Sequence, residues 1–234
     1  MLRYTKKSNL GTCLKSYQNL VLLKSLYRYK SLGFSYMDPI SVNEDSRADD
    51  LSLPSDLNLL HKQMSQCHLC DLSKHRRRVL TGFGNIHARV MFIDGFPSMV
   101  EDESANSFSG RSGSSLEKMI THVLGLSIND VYLTHVLKCR PSHQHTILGS
   151  ELSSCKPYIF KQIELVNPDI IVTLGELAYT SLIKDAHSFE QARGQKIPYE
   201  NKTLVPIYHP SHLLRNPSLK KCTMDDLINI KGLL

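Results

Sequence analysis

The chain has 234 residues, a formal net charge of +6, 41% hydrophobic and 21% charged residues. That balance excludes a fully disordered chain, a collagen-like chain and a disulfide mini-protein, and the length suits one large domain. No stretch reaches the ~20 consecutive apolar residues that a membrane-spanning helix requires.

The charge is unevenly distributed. Residues 1–37 hold seven Lys/Arg, no Asp or Glu, and five of the ten tyrosines. LVLLKSLYRYKSLGF (20–34) has the spacing of an amphipathic helix, and its Tyr/Lys/Arg interleaving is able to stack on bases and pair with phosphates. A solvated or partner-packed extension is the plainer expectation. Residues 38–56 invert the charge, with six acidic residues, one Arg and two prolines, and read as a linker. The expected organisation is an extension plus linker over 1–56 and a globular domain over 57–234. The chain beyond residue 37 carries 21 basic and 22 acidic side chains, so any phosphate-binding surface there must come from local patches.

The globular part alternates helix and strand. A helix is expected over 57–66, a buried strand over ARVMFIDG (88–95), a helix over 113–126 and a strand over DVYLTHVLK (130–138). A helix over 151–168 follows, stopped by Pro168. DIIVTLG (169–175) is the clearest buried strand, and ELAYTSLI continues as helix. TLVPIYHP (203–210) is the fourth strand and MDDLINIKGLL (224–234) the last helix. This alternation predicts a three-layer α/β/α sandwich around a mostly parallel sheet, with ligands at the carboxyl ends of the strands.

Six cysteines occur: Cys13, Cys67, Cys70, Cys139, Cys155 and Cys222. The N-terminus lacks an apolar core followed by a small-residue cleavage site, so no secretory signal is expected. A cytoplasmic, reducing interior is the default setting, and a monomer the default state. Cysteines there are metal ligands or free thiols rather than disulfides. Cys67-x2-Cys70 can converge on one metal centre, and Cys139 and Cys155 complete four sulfur ligands if the fold gathers them. Four thiolates suit zinc or an iron–sulfur cluster, and spacing does not choose between them.

Two strand-end segments carry further chemistry. FIDGFPSMVEDESANSFSGRSG combines a tight turn, the Glu101-Asp102 pair and a turn that opens a helix, as an anion or nucleotide site would. In IYHPSHLLRNPS, His209 stands at a strand end where it can donate to a developing anion. Ser211 and Arg215 follow in position to hold phosphates.

Together these segments resemble the uracil-DNA glycosylase superfamily, specifically its iron–sulfur type-4 members. The carriers are C-x2-C at 67–70, FIDGFPSMVED, SFSGRSG, VYLTHVLKCRP, Cys155, DIIVTLGELA and YHPSHLLRNPS, in the family's order over about residues 60–234. The resemblance implies an α/β/α fold, a [4Fe–4S] cluster on Cys67, Cys70, Cys139 and Cys155, and excision of uracil from DNA. Phe108 matches the aromatic platform for the base, and His209 the histidine that stabilises the departing anion. If a base is flipped out of the duplex, a wedge from LLRN, Leu213 or Leu214, is expected to fill the gap it leaves.

The first motif departs from the family's Gly-Glu-Ala-Pro-Gly. Here Asp94, Gly95, Phe96, Pro97 and Ser98 stand in those places, and only the proline is kept. Gly95 lacks the motif carboxylate, which leaves Glu101, or alternatively Asp94, to act on water. Phe96 is bulkier than the family's alanine and narrows the pocket. His135 replaces the asparagine that reads the pyrimidine edge, and offers a donor and an acceptor in a different geometry. Two other readings follow from these departures: a DNA-binding member without excision, and a glycosylase for another deaminated base.

Overall fold

Parallel strands covered on both faces need near-continuous apolar runs. Four such runs form the centre of the sheet in the computed structural model, which describes residues 53–143, 145–183 and 188–234. The basic extension, nearly all of the acidic linker and Cys13 lie outside the described residues. In chain order, helix α1 (Leu57–Ser65) leads to a 3-10 turn (Asp71–Lys74), strand β1 (Phe83–Gly84) and strand β2 (Val90–Asp94). Helix α2 (Met99–Ser104) and helix α3 (Gly110–Lys118) follow, and α3 runs on as a π-helical turn over Met119–Leu124. Strand β3 (Val131–His135), helix α4 (Gly149–Val166), strand β4 (Ile170–Leu174) and helix α5 (Glu176–Leu182) come next. The chain closes with α6 (Phe189–Ala192), β5 (Ile197–Tyr199), β6 (Lys202–Ile207), α7 (Pro210–Arg215) and α8 (Lys220–Lys231).

The strand order is β1-β3-β2-β4-β6-β5. The inner four strands are parallel, and the short outer strands β1 and β5 are antiparallel to their neighbours. Because successive side chains point to opposite faces, the strands feed two cores. Met91, Ile93, Tyr132, Ile171 and Leu204 pack on one face with Leu60, Ile159 and Ala178. Val90, Phe92, Leu133, Val172 and Val205 pack on the other with Leu116, Ile120 and Leu227. This is the three-layer α/β/α sandwich. The strand expected to reach residue 210 stops at Ile207, since Pro210 opens α7 and His209 caps it.

Candidate active site

The connection from β2 leads to β3 on one side of it, and the connection from β4 leads towards β6 on the other. A crevice therefore opens beyond the carboxyl ends of β2 and β4, where α/β sheets bind ligands. A cavity of about 290 Å³ occupies it. Asp94, Gly95 and Phe96 enter its wall from the end of β2, Glu101 from α2, Gly175, Glu176 and Leu177 from the end of β4, and His209 and Ser211 from the start of α7.

Each group is held by local structure. Ser98 and Glu101 form a capping box: Glu101 N–H donates to Ser98 Oγ at 3.3 Å, and Ser98 N–H to Glu101 Oε2 at 2.8 Å. Asp94 Oδ1 accepts from its neighbour Gly95 N–H at 2.6 Å. Ser211 N–H donates to His209 Nδ1 at 3.0 Å, which places the proton of a neutral ring on Nε2. That nitrogen faces Asp94 Oδ2 at 2.9 Å. The adjacent Tyr208 donates to Glu190 Oε2 at 2.5 Å, stacks on His212 and lies under Arg193, which pairs with Asp226. Gly175 has φ +81, and a Cβ there would meet His209 Cβ at 3.2 Å, so the close approach of β4 and α7 requires glycine.

The Asp94–His209 pair dominates the electrostatics. Burial disfavours both charges, but each outweighs that penalty for the other. The imidazole is raised above its ordinary value of 6.5 and the carboxyl is lowered below 3.8.

Several residues expected at the site lie elsewhere. His135, the last residue of β3, has no solvent exposure, and neither ring nitrogen has a hydrogen-bond partner. Its Nε2 stands 3.7 Å from Glu101 Oε1, which places it behind a wall residue rather than on the cavity surface. Phe108 is 7% exposed and packs edge-on against Phe83 at 5.6 Å, so the aromatic ring on the cavity wall is Phe96, 42% exposed. Phe108 is pinned by Gly113, where a Cβ would fall 2.1 Å from Phe108 O. Leu213 corrects the pair offered as a wedge: it is 1% exposed in the core, and Leu214, 43% exposed, is the leucine at the surface. Arg215 is exposed at the end of α7.

A model describing the uracil DNA glycosylase superfamily matches residues 81–231. The chain is 36% identical over 186 residues to a type-4 uracil-DNA glycosylase of Saccharolobus solfataricus, covering 76% of this chain and 86% of that one. It is 32% identical over 182 residues to the type-4 uracil-DNA glycosylase of Thermotoga maritima, covering 76% and 94%. The type-4 enzyme of Sulfurisphaera tokodaii is 32% identical over 185 residues, covering 76% and 84%. This chain is a type-4 member of the uracil-DNA glycosylase superfamily.

For this uracil-DNA glycosylase relative, Cys67, Cys70, Cys139 and Cys155 all line one further cavity, on the α1–α4 side of the sheet, together with Arg76, Lys138 and Tyr158. Among the described residues no three His, Cys, Asp or Glu side chains are drawn into a closed metal-holding group. The donor set nevertheless matches a four-thiolate centre, and a guanidinium attends it. Arg76 donates to Cys139 Sγ at 3.0 Å and to Cys67 O at 2.7 Å. Lys138 is 2% exposed, and its Nζ donates to Thr134 Oγ1 at 2.7 Å, to Gln162 Oε1 at 2.5 Å and to His135 O. Burial pushes the Cys155 thiol up to about 11. Cys222 is apart from the four and donates to Leu219 O.

Sequence reasoning passed over Glu176 and Leu177, which line the first cavity, and the basic run Lys74-His75-Arg76-Arg77-Arg78. The run itself was the available signal. Asp102, 2% exposed, accepts from the backbone N–H groups of Arg77 and Arg78, so its carboxylate shapes that run rather than the cavity.

Proposed function

We propose that this protein hydrolyses the N-glycosidic bond of uracil in DNA and leaves an abasic site. The observation that carries this reading is His209 in a cavity at the carboxyl ends of the strands, its Nδ1 occupied by a backbone N–H so that Nε2–H is the donor. A base in a duplex must be extruded to reach such a cavity, at a cost of a few kcal/mol. Leu214, exposed on α7, is placed to fill the gap. As the glycosidic bond breaks, negative charge grows on the base, and His209 Nε2–H meets it as a fixed donor. Ser211 and Arg215 on the same helix supply phosphate contacts. Phe96 offers an apolar face to the base. His135 acts through Glu101 and not on the base directly.

We also infer that Cys67, Cys70, Cys139 and Cys155 hold a [4Fe–4S] cluster, supported by their common cavity and the Arg76 donation to Cys139 Sγ. Hydrolysis of the base moves no electrons, so such a cluster's part is structural: it joins the 67–70 segment to the end of the β3 region and to α4. Zinc would meet the same thiolates, and elemental analysis for iron and zinc separates the two.

One observation favours a second reading. Nε2–H of His209, the donor a departing base needs, is directed at Asp94, as in a member that binds DNA without excising a base. The test is abasic-site formation on single-stranded and duplex oligonucleotides carrying uracil, with hypoxanthine and xanthine in parallel. Uracil release supports glycosylase activity. Binding without release of any base supports the second reading, and preferential release of a purine assigns a different base.

A further inference from the structure

Three carboxylates line the cavity that holds His209: Asp94, Glu101 and Glu176. Two of them are committed. Asp94 binds His209 Nε2 through one oxygen and Gly95 N–H through the other. Glu101 closes the α2 capping box through Oε2 and turns Oε1 towards His135. Glu176 is exposed, its carboxylate forms no hydrogen bond or ion pair among the described residues, and it projects from the first turn of α5 at the crevice between β2 and β4.

The Leu177 side chain bears on why the carboxylate comes from the start of α5 rather than from position 95. A Cβ placed on Gly95 would meet Leu177 Cδ2 at 3.0 Å and Leu177 Cβ at 3.3 Å. Leu177 thus fills the space that a longer side chain at 95 would use, and the residue before it carries the acid. A side chain cannot be added at 95 unless Leu177 gives way.

We propose that Glu176 is the catalytic carboxylate of this site. This rests on the reading that the protein excises uracil. In the step, the bond between C1′ and N1 of the base breaks and its electron pair leaves with the base, opposite His209. A water oxygen bonds to C1′, and the proton that this water loses passes to Glu176. The carboxylate also faces the positive charge that grows on the sugar before the water bond is complete. Asp94 and Glu101 are positioning residues, the first for His209 and the second for the 98–101 turn.

The test is single-turnover release of uracil from a single-stranded oligonucleotide by the full chain, beside the affinity for the same oligonucleotide. Glu176→Gln should lower the rate constant by about 10²-fold or more, with affinity within about threefold of wild type, as loss of a group acting only in the transition state requires. The double variant Gly95→Glu/Leu177→Ala, built on Glu176→Gln, should recover part of the rate by supplying a carboxylate from position 95. A Glu176→Gln protein as fast as wild type, or one slowed only in proportion to weaker DNA binding, overturns the proposal while leaving uracil excision standing. Absence of uracil release by wild type itself overturns the excision reading, and this proposal with it.

Discussion

Asp94→Asn isolates the contact that governs His209. The substitution keeps size and shape but removes the negative charge 2.9 Å from Nε2. In the wild type, burial lowers the imidazole and Asp94 more than reverses this, leaving it raised. Without that charge the burial cost gains on the remaining attraction, and the His209 value should fall. Glu101, which also raises His209, remains and limits the fall. A hydrogen bond between charged partners contributes about 1.5–3 kcal/mol. With the two side chains 26% and 15% exposed, the loss belongs in the lower half of that range. For a domain of this size that is a fall of roughly 3–9 °C in Tm. The linkage has a definite sign. Asp94 is lowered, so its contribution is present above 3.8 and lost as pH falls through its folded value. His209 is raised, so its contribution is complete below 6.5 and lost as pH rises through its folded value. The stability gap between wild type and variant should therefore be widest between those limits and narrow on the alkaline side. Thermal unfolding across pH, with His209 followed by NMR, measures both. A gap that does not vary with pH, or a His209 value that rises in Asp94→Asn, refutes the reasoning.

Serine in place of Cys67, Cys70, Cys139 or Cys155 should each reduce bound iron and lower Tm, whereas Cys222→Ser should leave iron content unchanged; iron analysis of the purified variants checks this. Leu213→Ala should cost about 2–5 kcal/mol of stability as a core cavity. Leu214→Ala should stay within about 0.5 kcal/mol and instead slow excision from duplex more than from single strands, so paired unfolding and activity assays separate the two leucines. Gly113→Ala should displace the Phe108 backbone and destabilise the domain, read as a lower midpoint in urea.

The inner strands were legible because a strand covered on both faces needs an unbroken apolar run, and VMFID, VYLTH, IIVTL and the LVPI of β6 each have one. The outer strands were not. β1 is two exposed residues and β5 three residues around Pro198, too short to show any period. The stretch read as one helix over 113–126 starts earlier, at Gly110, and changes to π-helical geometry at Met119, because apolar spacing marks a buried face and not the hydrogen-bond ladder. The site was legible where a strand end meets a distinctive motif, as at Asp94 and His209. It was less legible where only burial decides: His135 sits in the last position of a strand buried throughout, and Leu213 and Leu214 differ only in the helix face they occupy. Glu176 was passed over because a lone glutamate opening a helix looks like ordinary helix-terminus chemistry. Only the folded chain shows that it faces the same cavity as His209.

The most direct measurement compares wild type with His209→Ala in single-turnover release of uracil from a defined oligonucleotide. The account predicts uracil release and a matching abasic site with wild type, and a loss of about 10²-fold or more in His209→Ala with DNA binding retained. Equal release by both proteins would contradict it.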